Sequence, residues 1–537
     1  MTKMIVAIEG PNFAGKTTMV ESLQELFIKN NISCTVIPEY VDLIGDENKQ
    51  PDRPFKNKDE MKKEGDFYIG LEKKIQNMLS NCKSEIIIRD RTFFTCLTYA
   101  RLSKNPVSEK MFKQYICSKN YIYPDLIIFL DIDLNSTEYR QRLILRKKSN
   151  PKLRGLNYKI KEFSYIYRHK DYVDHFKNQI TKNFKNIVFV DPLKTDIDHV
   201  YDLIKIQKSK ITKRAVIWPG YICNLNCVFC YNAGMKKNWK EFKELKEEIS
   251  QDRFVYGNQH IDFMGGEPTL HPDIVRLVKY CNDIGIKPTL ITNALKLAEI
   301  HFLEKLKEAG INDFLVSIHG IDATADMIFN TGKKGYFQKQ TQALNNFNKL
   351  KIPFRINTTL IKYNKKDLLK IAELAIQKGA KTVNFIMFNP HFAWSKKTHI
   401  IFQDKYSNIR PYLTKAIDFL NKNNIEVNVR YFPFCQLKGY EKYVYNCTQL
   451  PYDEHEWDYN SWHKCKEKNP DKQWYYKKGI EQAKKNGSVK EKPCKNCALK
   501  KICDGFHSQY VLRYGFKEAR PYFGKLITNP IHFMRNG

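Results

Sequence analysis

Long apolar runs are missing from this sequence. Hydrophobic residues make up 42% of the chain but occur in short stretches, and none approaches the roughly 20 residues that cross a bilayer as a helix. The start, Met1–Gly10, leads directly into a predicted strand and lacks the apolar segment and cleavage site of a secretory signal. We therefore expect a globular protein with no membrane partner that stays in the cytoplasm.

Cysteine is scarce in the first two hundred residues. Of the 14 cysteines, only Cys34, Cys82, Cys96 and Cys117 lie there, and no two of them form a close pair. We interpret these four as ordinary core or surface thiols. Most of the others are clustered, which in a reducing compartment favours metal ligation over a disulfide framework.

No lysine tract concentrates the positive charge, although the formal net charge is +32. An excess of this size predicts an anionic partner, with nucleotides and nucleic acid as candidates. The alternative is compositional, because the chain is rich in lysine, asparagine, isoleucine and tyrosine. Its 537 residues exceed what one hydrophobic core usually supports, so two or three domains are expected.

A phosphate-binding motif, G-x-x-x-x-G-K-T, lies between a predicted strand, Met4–Glu9, and a predicted helix, Met19–Lys29. In such a loop, backbone N–H groups wrap a phosphate, the lysine (Lys16) reaches the terminal phosphates, and the threonine hydroxyl (Thr17) ligates magnesium. The motif predicts ATP with magnesium as ligand. The expected phosphate-binding residues are Gly10, Asn12, Phe13, Ala14, Gly15, Lys16, Thr17 and Thr18.

Four further predicted strands are followed by charged residues. Because ligands bind at the carboxyl ends of the strands in an open parallel sheet, these ends are expected to form a site. The alternation with helical segments predicts an α/β fold with a doubly wound parallel sheet. The four strands are Cys34–Pro38, Glu85–Arg89, Asp125–Leu130 and Asn186–Val190.

Residues 1–205 resemble the thymidylate kinase and deoxynucleoside kinase group through the stretches EGPNFAGKTT, IPEYVDL, IIIRDRTFFTCLTYA and PDLIIFLDID. The resemblance implies a kinase in which Glu39 lies near the phosphoryl acceptor. It gives Asp90 and Arg91 catalytic roles, with Arg91 touching phosphates. Positioning and charge neutralisation are what phosphoryl transfer mainly needs. The resemblance also implies a basic lid drawn from Arg142, Arg146, Lys147, Lys148 and Arg154.

One departure from that group bears on the acceptor. Thymidylate members carry a Glu-Pro-Gly-Gly type segment, whereas this chain has Glu39-Tyr40-Val41. A nucleoside or a modified nucleotide is therefore as well supported as thymidylate. Arg142 and Arg146 are also spaced i, i+4, which suits solvated charges on a helix as well as a lid.

A second motif follows a polar, basic linker at 208–214. The segment Tyr221–Asn232 reads YICNLNCVFCYN and spaces Cys223, Cys227 and Cys230 as C-x3-C-x2-C. Three thiolates this close can hold three corners of an iron–sulfur cube and leave the fourth iron open. Zinc sites favour two C-x2-C pairs or added histidines, and this segment has neither.

The cysteine motif resembles the radical S-adenosylmethionine (radical SAM) superfamily over about Val216 to Pro390, where G-G-E-P at 265–268 is a second shared segment. Two glycines at a strand end let the backbone approach a ligand closely. Repeated strand and helix patterns predict a partial (β/α) barrel with its site at the carboxyl ends of the strands. The implied contacts to S-adenosylmethionine are Gly265, Gly266, Glu267, Thr292, Asn293, Ser317 and Asn357.

The resemblance also implies a mechanism. One electron from a flavodoxin- or ferredoxin-like donor enters a 4Fe-4S cluster, and the bound cofactor is cleaved to methionine and a 5′-deoxyadenosyl radical. The radical abstracts a hydrogen atom from the substrate. The protein holds the substrate carbon close and excludes water and oxygen.

Past residue 425 the chain becomes rich in aromatic residues and cysteine, with a C-x2-C-x5-C motif. This resembles the SPASM or twitch extension of radical SAM enzymes and implies one auxiliary iron–sulfur cluster. Zinc is the alternative, since four thiolates suit it equally. Tyr452–Trp462 could stack on a base, although a packed extension is the simpler interpretation. The candidate ligands are Cys435, Cys494, Cys497 and Cys503, with Cys447 or Cys465 as substitutes for Cys435.

The combined interpretation is a bifunctional enzyme. An ATP-dependent nucleoside or nucleotide kinase occupies 1–207, a radical SAM barrel 215–425 and the extension 426–537; if the halves share a pathway, the radical substrate is a nucleotide or base. A second hypothesis is a peptide-modifying radical enzyme with an ATP-binding activating or regulatory domain. A third is a radical enzyme recruited by a non-catalytic nucleotide- or nucleic-acid-binding module, although Glu39 with Asp90 and Arg91 favours catalysis.

Overall fold

The computed structural model describes residues 3–44, 55–118, 121–141, 169–180, 186–390 and 400–534. The chain forms two compact units, Met1–Lys208 and Ser209–Gly537. None of the described helices combines the length and the apolar composition that a membrane span requires.

The first unit is built on a five-stranded parallel sheet in the order β2-β3-β1-β4-β5. Its three central strands are buried along their whole length, because separate apolar clusters cover the two faces of the sheet. This confirms the predicted α/β fold. The strands are β1 Met4–Glu9, β2 Cys34–Ile37, β3 Ile86–Asp90, β4 Leu126–Leu130 and β5 Ile187–Val190.

Helices connect these strands, and side chains fix where some of them begin. Asn57 accepts a hydrogen bond from the backbone N–H of Glu60 at 2.9 Å, and Thr92 accepts one from Phe94 at 3.2 Å, as N-caps do. The described α-helices of this unit with defined bounds are Lys16–Lys29, Tyr40–Ile44, Lys58–Asn81, Phe93–Leu102, Pro106–Ile116 and Ile197–Lys208.

The second unit contains eight strands that pair in chain order, each parallel to the next. Pairing begins at β6 and ends at β13, and helices pack outside, which confirms the predicted β/α architecture. The strands are β6 Arg214–Gly220, β7 His260–Gly265, β8 Lys287–Thr292, β9 Asp313–Ser317, β10 Phe354–Leu360, β11 Thr382–Met387, β12 Glu426–Arg430 and β13 Val444–Tyr445; β14 Ser488–Val489 and β15 Phe506–His507 form a small antiparallel pair.

Most of the apolar core of this unit is one continuous cluster between the sheet and its helices. The helices alternate with the strands up to β12, and the last four follow β13, in the part of the chain after residue 445, which we call the tail. They are Phe242–Phe254, Ile274–Asp283, Ile300–Glu308, Ala323–Phe329, Tyr336–Leu350, Leu368–Gln377, Tyr406–Lys422, Tyr459–Trp462, Lys472–Lys485, Lys492–Lys495 and Ser508–Tyr514.

Buried ion pairs link neighbouring strands near their amino-terminal ends. Arg214 on β6 pairs with Asp262 on β7 at 2.6 Å, and Asp313 on β9 pairs with Arg355 on β10 at 2.8 Å. Burial alone would raise the pKa of Asp313, but Arg355 and Arg214 hold it below its usual value. Because a buried charge without its partner is costly, these pairs favour the observed strand register.

A segment of the tail, residues 451–458, lies beside β6 and β12. The Thr212 N–H donates to the Pro451 carbonyl and the Asp458 N–H to the Arg214 carbonyl, both at 2.8 Å. On the other side, Arg430 of β12 pairs with Asp453 at 2.9 Å. The tail therefore connects β6, at one edge of the eight-stranded sheet, to β12, the strand next to the other edge.

Candidate active sites

Three residues of the phosphate-binding loop have left-handed backbone conformations. Gly10, Phe13 and Gly15 have φ angles of 142°, 67° and 95°, a region that glycine adopts readily and other residues rarely. A Cβ atom at Gly10 would lie 2.9 Å from the Leu130 carbonyl oxygen, so the loop can run close to β4 only with glycine there. The residues from Asn12 to Thr18 line a cavity of about 1240 Å³.

Lys16 lies in a cluster of charges beside this cavity. Its ammonium group donates a hydrogen bond of 3.0 Å to the Pro11 carbonyl. Burial, and then the nearby Arg91, lower the pKa of Lys16 to about 7, against the opposing effect of Glu39 and Asp90. A bound anion would stabilise the charged form of this buried ammonium group, as expected of a phosphate site.

Arg91 connects the loop to the predicted acceptor carboxylate. Its Nε pairs with Glu39, one Nη donates to the Gly10 carbonyl at 3.2 Å, and the other contacts the Asn12 side chain. Burial, and then the Glu39 carboxylate, raise the pKa of Asp90 to about 6. The four predicted catalytic residues therefore line one cavity: Lys16, Glu39, Asp90 and Arg91.

The same cavity has an aromatic wall that no sequence motif predicted. Tyr68, Tyr99 and Phe112 line it, and so do the carboxylates of Asp42 and Glu64. Among its described lining residues, Lys16 and Arg91 are the only basic side chains. The predicted lid residues lie outside the described part of the chain: Arg142, Arg146, Lys147, Lys148 and Arg154.

In the second unit, Cys223, Cys227 and Cys230 lie on the loop after β6 and line a cavity of about 590 Å³. Burial raises the pKa of all three thiols, to about 11 for Cys223, and for Cys227 the other two thiols add to the effect. The Leu225 N–H donates to the Cys223 sulfur at 3.4 Å. A cationic centre stabilises cysteine thiols as thiolates, so by residue type these three fit an iron–sulfur cluster with three protein ligands.

Gly265 and Gly266 bring the ends of β6 and β7 together. A Cβ atom at Gly265 would lie 2.4 Å from the Gly220 carbonyl oxygen, and one at Gly266 would lie 2.1 Å from that of Ile222. Both glycines line the cavity. A side chain at either glycine would therefore collide with the backbone at the start of the cysteine loop. The sequence had suggested instead that the glycines make room for a ligand.

Glu267 fixes the turn that follows β8. Its buried carboxylate accepts hydrogen bonds from the Thr292 hydroxyl at 2.6 Å and the Asn293 N–H at 2.7 Å, and also from the backbone and hydroxyl of Thr269. The Asn293 amide reaches back to Asn224, within the cysteine loop, at 2.8 Å. The predicted cofactor residues of β7 and β8 are thus tied to that loop.

The remaining predicted cofactor residues are Ser317, which ends β9, and Asn357, which lies in the middle of β10. Both line the same cavity. Gln340 donates to the carbonyls of Asn293 at 3.0 Å and Ser317 at 2.8 Å, which joins β8 to β9. The side-chain oxygen of Asn357 is buried and has no hydrogen-bond partner among the described residues. It can accept a hydrogen bond from a bound molecule.

Several lining residues of this cavity belong to no short motif. His319 follows β9 and packs edge-to-face on Phe229 at 4.8 Å, and burial lowers the pKa of His319 to about 3. The others include Trp218, Arg430, Tyr431, Trp457, Trp462, Gln482, Lys485 and Asn486. Of these, only Trp457 and Trp462 lie in a stretch that the sequence analysis singled out, Tyr452–Trp462.

The four predicted auxiliary cysteines, Cys435, Cys494, Cys497 and Cys503, line another cavity. Two of their sulfurs accept backbone hydrogen bonds, Cys503 from Gly505 at 3.3 Å and Cys497 from Tyr522 at 3.4 Å. Such bonds are characteristic of cluster thiolates, and by ligand type alone four thiols suit either an iron–sulfur cluster or zinc. In the described parts of the chain, no three Cys, His, Asp or Glu side chains are spaced as ligands of a single metal ion.

The alternative auxiliary ligands lie elsewhere. Cys447 is fully buried, its backbone N–H donates to Asp504 at 3.0 Å, and its sulfur accepts from the Asn486 amide at 3.6 Å. Cys465 is exposed. Neither lines the cavity of the other four, so the geometry favours Cys435 as their companion.

Comparison with known proteins bears on both units. Residues 218–375 match the model of the Radical SAM superfamily, and residues 5–164 match that of an AAA domain. Among solved structures, Streptococcus suis SuiB bound to S-adenosylmethionine is 19% identical, over 67% of this chain and 88% of that chain, with a TM-score of 0.41.

Two curated relatives match part of this chain. The AdoMet-dependent heme synthase of Methanosarcina barkeri is 32% identical over 31% of this chain and 48% of its own length. The probable GTP 3′,8-cyclase of Sulfurisphaera tokodaii is 27% identical over 40% of this chain and 67% of its own length. The chain thus spans about half of the first relative and two thirds of the second. It combines a radical SAM domain with an amino-terminal P-loop domain of the AAA type.

Proposed function

We propose that this chain combines an ATP-dependent phosphotransferase, acting on a nucleoside or nucleotide, with an S-adenosylmethionine-dependent radical enzyme. One observation carries the radical half. The three cysteines of the C-x3-C-x2-C loop share a single cavity with every residue expected to hold the cofactor. The cofactor residues in question are Gly265, Gly266, Glu267, Thr292, Asn293, Ser317 and Asn357.

The phosphotransferase half is supported by the shape of the first cavity. A domain that only binds or hydrolyses ATP needs the phosphate loop but no pocket for a second substrate. Here the cavity continues past Glu39 along Tyr68, Tyr99 and the buried Phe112, and the rings of the two tyrosines can stack on a base. Glu39 can accept the proton of an attacking hydroxyl group, while Lys16 neutralises charge on the transferred phosphoryl group.

In the radical half, the cofactor and a 4Fe-4S cluster supply a 5′-deoxyadenosyl radical when bound and reduced. Cys223, Cys227 and Cys230 would hold the cluster, and Glu267 orients the strand ends that would hold the cofactor. The Asn357 oxygen would accept a hydrogen bond from the cofactor or the substrate. A flavodoxin- or ferredoxin-like electron donor is the partner this chemistry needs.

The radical substrate in this proposal is a nucleotide or a base. The printed name of one relative, a probable GTP 3′,8-cyclase, names a nucleotide, and a kinase for nucleosides or nucleotides supplies the same class. A peptide substrate would support the second hypothesis, in which the P-loop domain activates or regulates. ATP binding without transfer would support the third, in which that domain only recruits.

The test uses the full chain, purified without oxygen and reconstituted with iron and sulfide. It is incubated with ATP, magnesium, S-adenosylmethionine, dithionite and a panel of nucleosides and nucleotides, and phosphorylated products are measured together with 5′-deoxyadenosine. Lys16→Ala should abolish phosphoryl transfer and keep 5′-deoxyadenosine formation. Cys227→Ser should abolish 5′-deoxyadenosine formation and keep phosphoryl transfer. Cys465→Ser should leave both activities unchanged.

Two results would contradict the proposal. ATP hydrolysis without any phosphorylated acceptor would remove the phosphotransferase half. Formation of 5′-deoxyadenosine that is unchanged by every nucleotide but stimulated by a peptide would remove the nucleotide substrate.

A further inference from the structure

Three tryptophans form one wall of the cavity that contains the cysteine loop. Trp218 comes from β6, and Trp457 and Trp462 come from the tail. Trp218 and Trp457 meet edge-to-face with ring centres 6.1 Å apart, and Trp457 and Trp462 meet in the same way at 5.1 Å. We call these three residues the tryptophan wall.

The tryptophan wall is held rigidly. The indole N–H of Trp457 donates to Asp262 at 2.9 Å, and the other oxygen of that carboxylate is paired with Arg214 at 2.6 Å. Trp462 stacks on His463 at 4.7 Å. A flat ligand would therefore meet rings that are already in place, which lowers the entropic cost of binding.

A hydrogen-bond acceptor lies beside the wall. Gln482 is only 8% exposed and lines the same cavity. Its amide nitrogen donates to the Asn486 side chain at 2.8 Å, and its amide oxygen interacts with the His463 side chain, which opposes the lowering of the His463 pKa by burial. An amide oxygen has two lone pairs, so it can also accept a hydrogen bond from a ligand.

Positive charge lies next to this acceptor. Lys485 is exposed, occupies the same helix as Gln482 one turn later, and lines the cavity. Arg430 and His455 also line the cavity, but Arg430 is engaged by Asp453 and Glu456 and His455 lies 3.5 Å from Glu426. Lys485 is thus the cation placed to meet a negative group of a ligand.

We infer that the tryptophan wall, Gln482 and Lys485 bind the radical substrate, and that this substrate is a heteroaromatic base with an N–H donor and a negatively charged group, as in a nucleotide. The inference rests on the proposed function of the radical unit and assigns the residues that recognise its substrate. Peptides that bind as an added β-strand are recognised mainly through backbone hydrogen bonds. The groups gathered here are flat rings, an amide oxygen and an ammonium group, which suit a base and a phosphate.

Photolabelling of the reconstituted full chain tests this. The probes are 8-azidoguanosine 5′-monophosphate and 5-azido-2′-deoxyuridine 5′-monophosphate, each with its unphosphorylated nucleoside, and S-adenosylmethionine is kept saturating so that its own site is filled. Digestion and mass spectrometry separate label in the P-loop unit from label in residues 453–462 and 472–486. At least one of the two nucleotides should label these segments.

The variants assign the roles. Trp462→Leu keeps an apolar side chain but removes the stacking surface, and should lower labelling by at least about fivefold. Lys485→Ala should lower labelling by the nucleotide roughly threefold and leave the nucleoside unaffected. Trp474→Leu, on the same helix as Gln482 but outside the cavity lining, is the control and should label as the wild type does.

Three outcomes would overturn the inference. Neither nucleotide labels 453–462 or 472–486; Trp462→Leu labels as well as Trp474→Leu; or nucleoside and nucleotide label equally, which removes the anionic group. Formation of 5′-deoxyadenosine in the same preparation separates these outcomes from a failure of the proposed function. If that activity is present and the label is absent, only the substrate assignment is wrong.

Discussion

The Thr292 hydroxyl donates a hydrogen bond of 2.6 Å to the Glu267 carboxylate, across 25 residues of sequence. Glu267 follows β7, and Thr292 is the last residue of the neighbouring strand β8. Glu267 also accepts the N–H of Asn293. The carboxylate therefore links the carboxyl ends of β7 and β8 through hydrogen bonds.

Removing the Glu267 carboxylate should disturb the proposed cofactor site. Glu267→Ala leaves buried donors of Thr292 and Asn293 without a partner, each at a cost of about 1–3 kcal/mol. We expect the affinity for S-adenosylmethionine to fall at least about tenfold, measured by equilibrium dialysis on reconstituted protein. Glu247→Ala, at an exposed position of the helix Phe242–Phe254, is the control. Wild-type affinity in Glu267→Ala would refute the role.

Gly266→Ala tests the contact between the strand end and the cysteine loop. Its Cβ atom would lie 2.1 Å from the Ile222 carbonyl oxygen, so the backbone at the start of the loop must move. We expect iron retained after reconstitution to fall by about half or more, since the cysteines follow directly. Gly70→Ala, where a Cβ atom meets nothing within 4 Å, should keep its iron. Equal iron in both variants would contradict this reading of the glycine.

The auxiliary site can be tested by removing one thiol. Cys435→Ser should lower total iron by roughly half if the cavity of Cys494, Cys497 and Cys503 holds a 4Fe-4S cluster. Cys465→Ser, an exposed thiol, should leave iron unchanged. Elemental analysis decides the metal, because a zinc site would lose zinc and keep all iron. Loss of neither metal would show that Cys435 is not a ligand.

Asp252 gives a prediction about pH. Burial raises the pKa of Asp252 to about 6, although Lys464 lies 3.2 Å away. A carboxyl whose pKa is raised on folding stabilises the fold at low pH, and this contribution is lost as pH rises through about 6. The Tm of Asp252→Asn relative to wild type should therefore increase by a few degrees between pH 5 and pH 7.5.

A control for Asp252→Asn is available on another helix. Asp283 forms an exposed pair with Lys279 at 2.9 Å, and such pairs contribute little to stability. Asp283→Asn should leave Tm nearly unchanged. A Tm difference for Asp252→Asn that stays constant with pH would contradict the account of its burial.

Short motifs predicted the location of both sites. A phosphate loop depends on contiguous glycines and one lysine, and the C-x3-C-x2-C loop depends on three thiols, so their spacing is visible in the sequence. The fold class was equally accessible, because strands covered on both faces, such as β1 and β4, appear as short apolar runs. Their predicted boundaries agree with the observed strands to within one residue.

The tail could not be placed in this way. Arg214 donates to the carbonyl of Glu454, 240 residues later, at 3.0 Å, and Trp457 reaches back 195 residues to Asp262. No local spacing encodes contacts of that range. Gln482 and Lys485 were missed for the same reason, because their role depends on a cavity assembled from distant segments.

The most direct test of the central claim is the amount of 5′-deoxyadenosine formed by the anaerobically reconstituted chain with dithionite and S-adenosylmethionine. Wild type and Cys465→Ser should form it, and single serine substitutions of Cys223, Cys227 and Cys230 should each abolish it while the P-loop unit still binds ATP. If wild-type protein that carries its iron forms none, or if the three variants form it as wild type does, the assignment of this loop as the ligand of a radical-generating cluster is wrong.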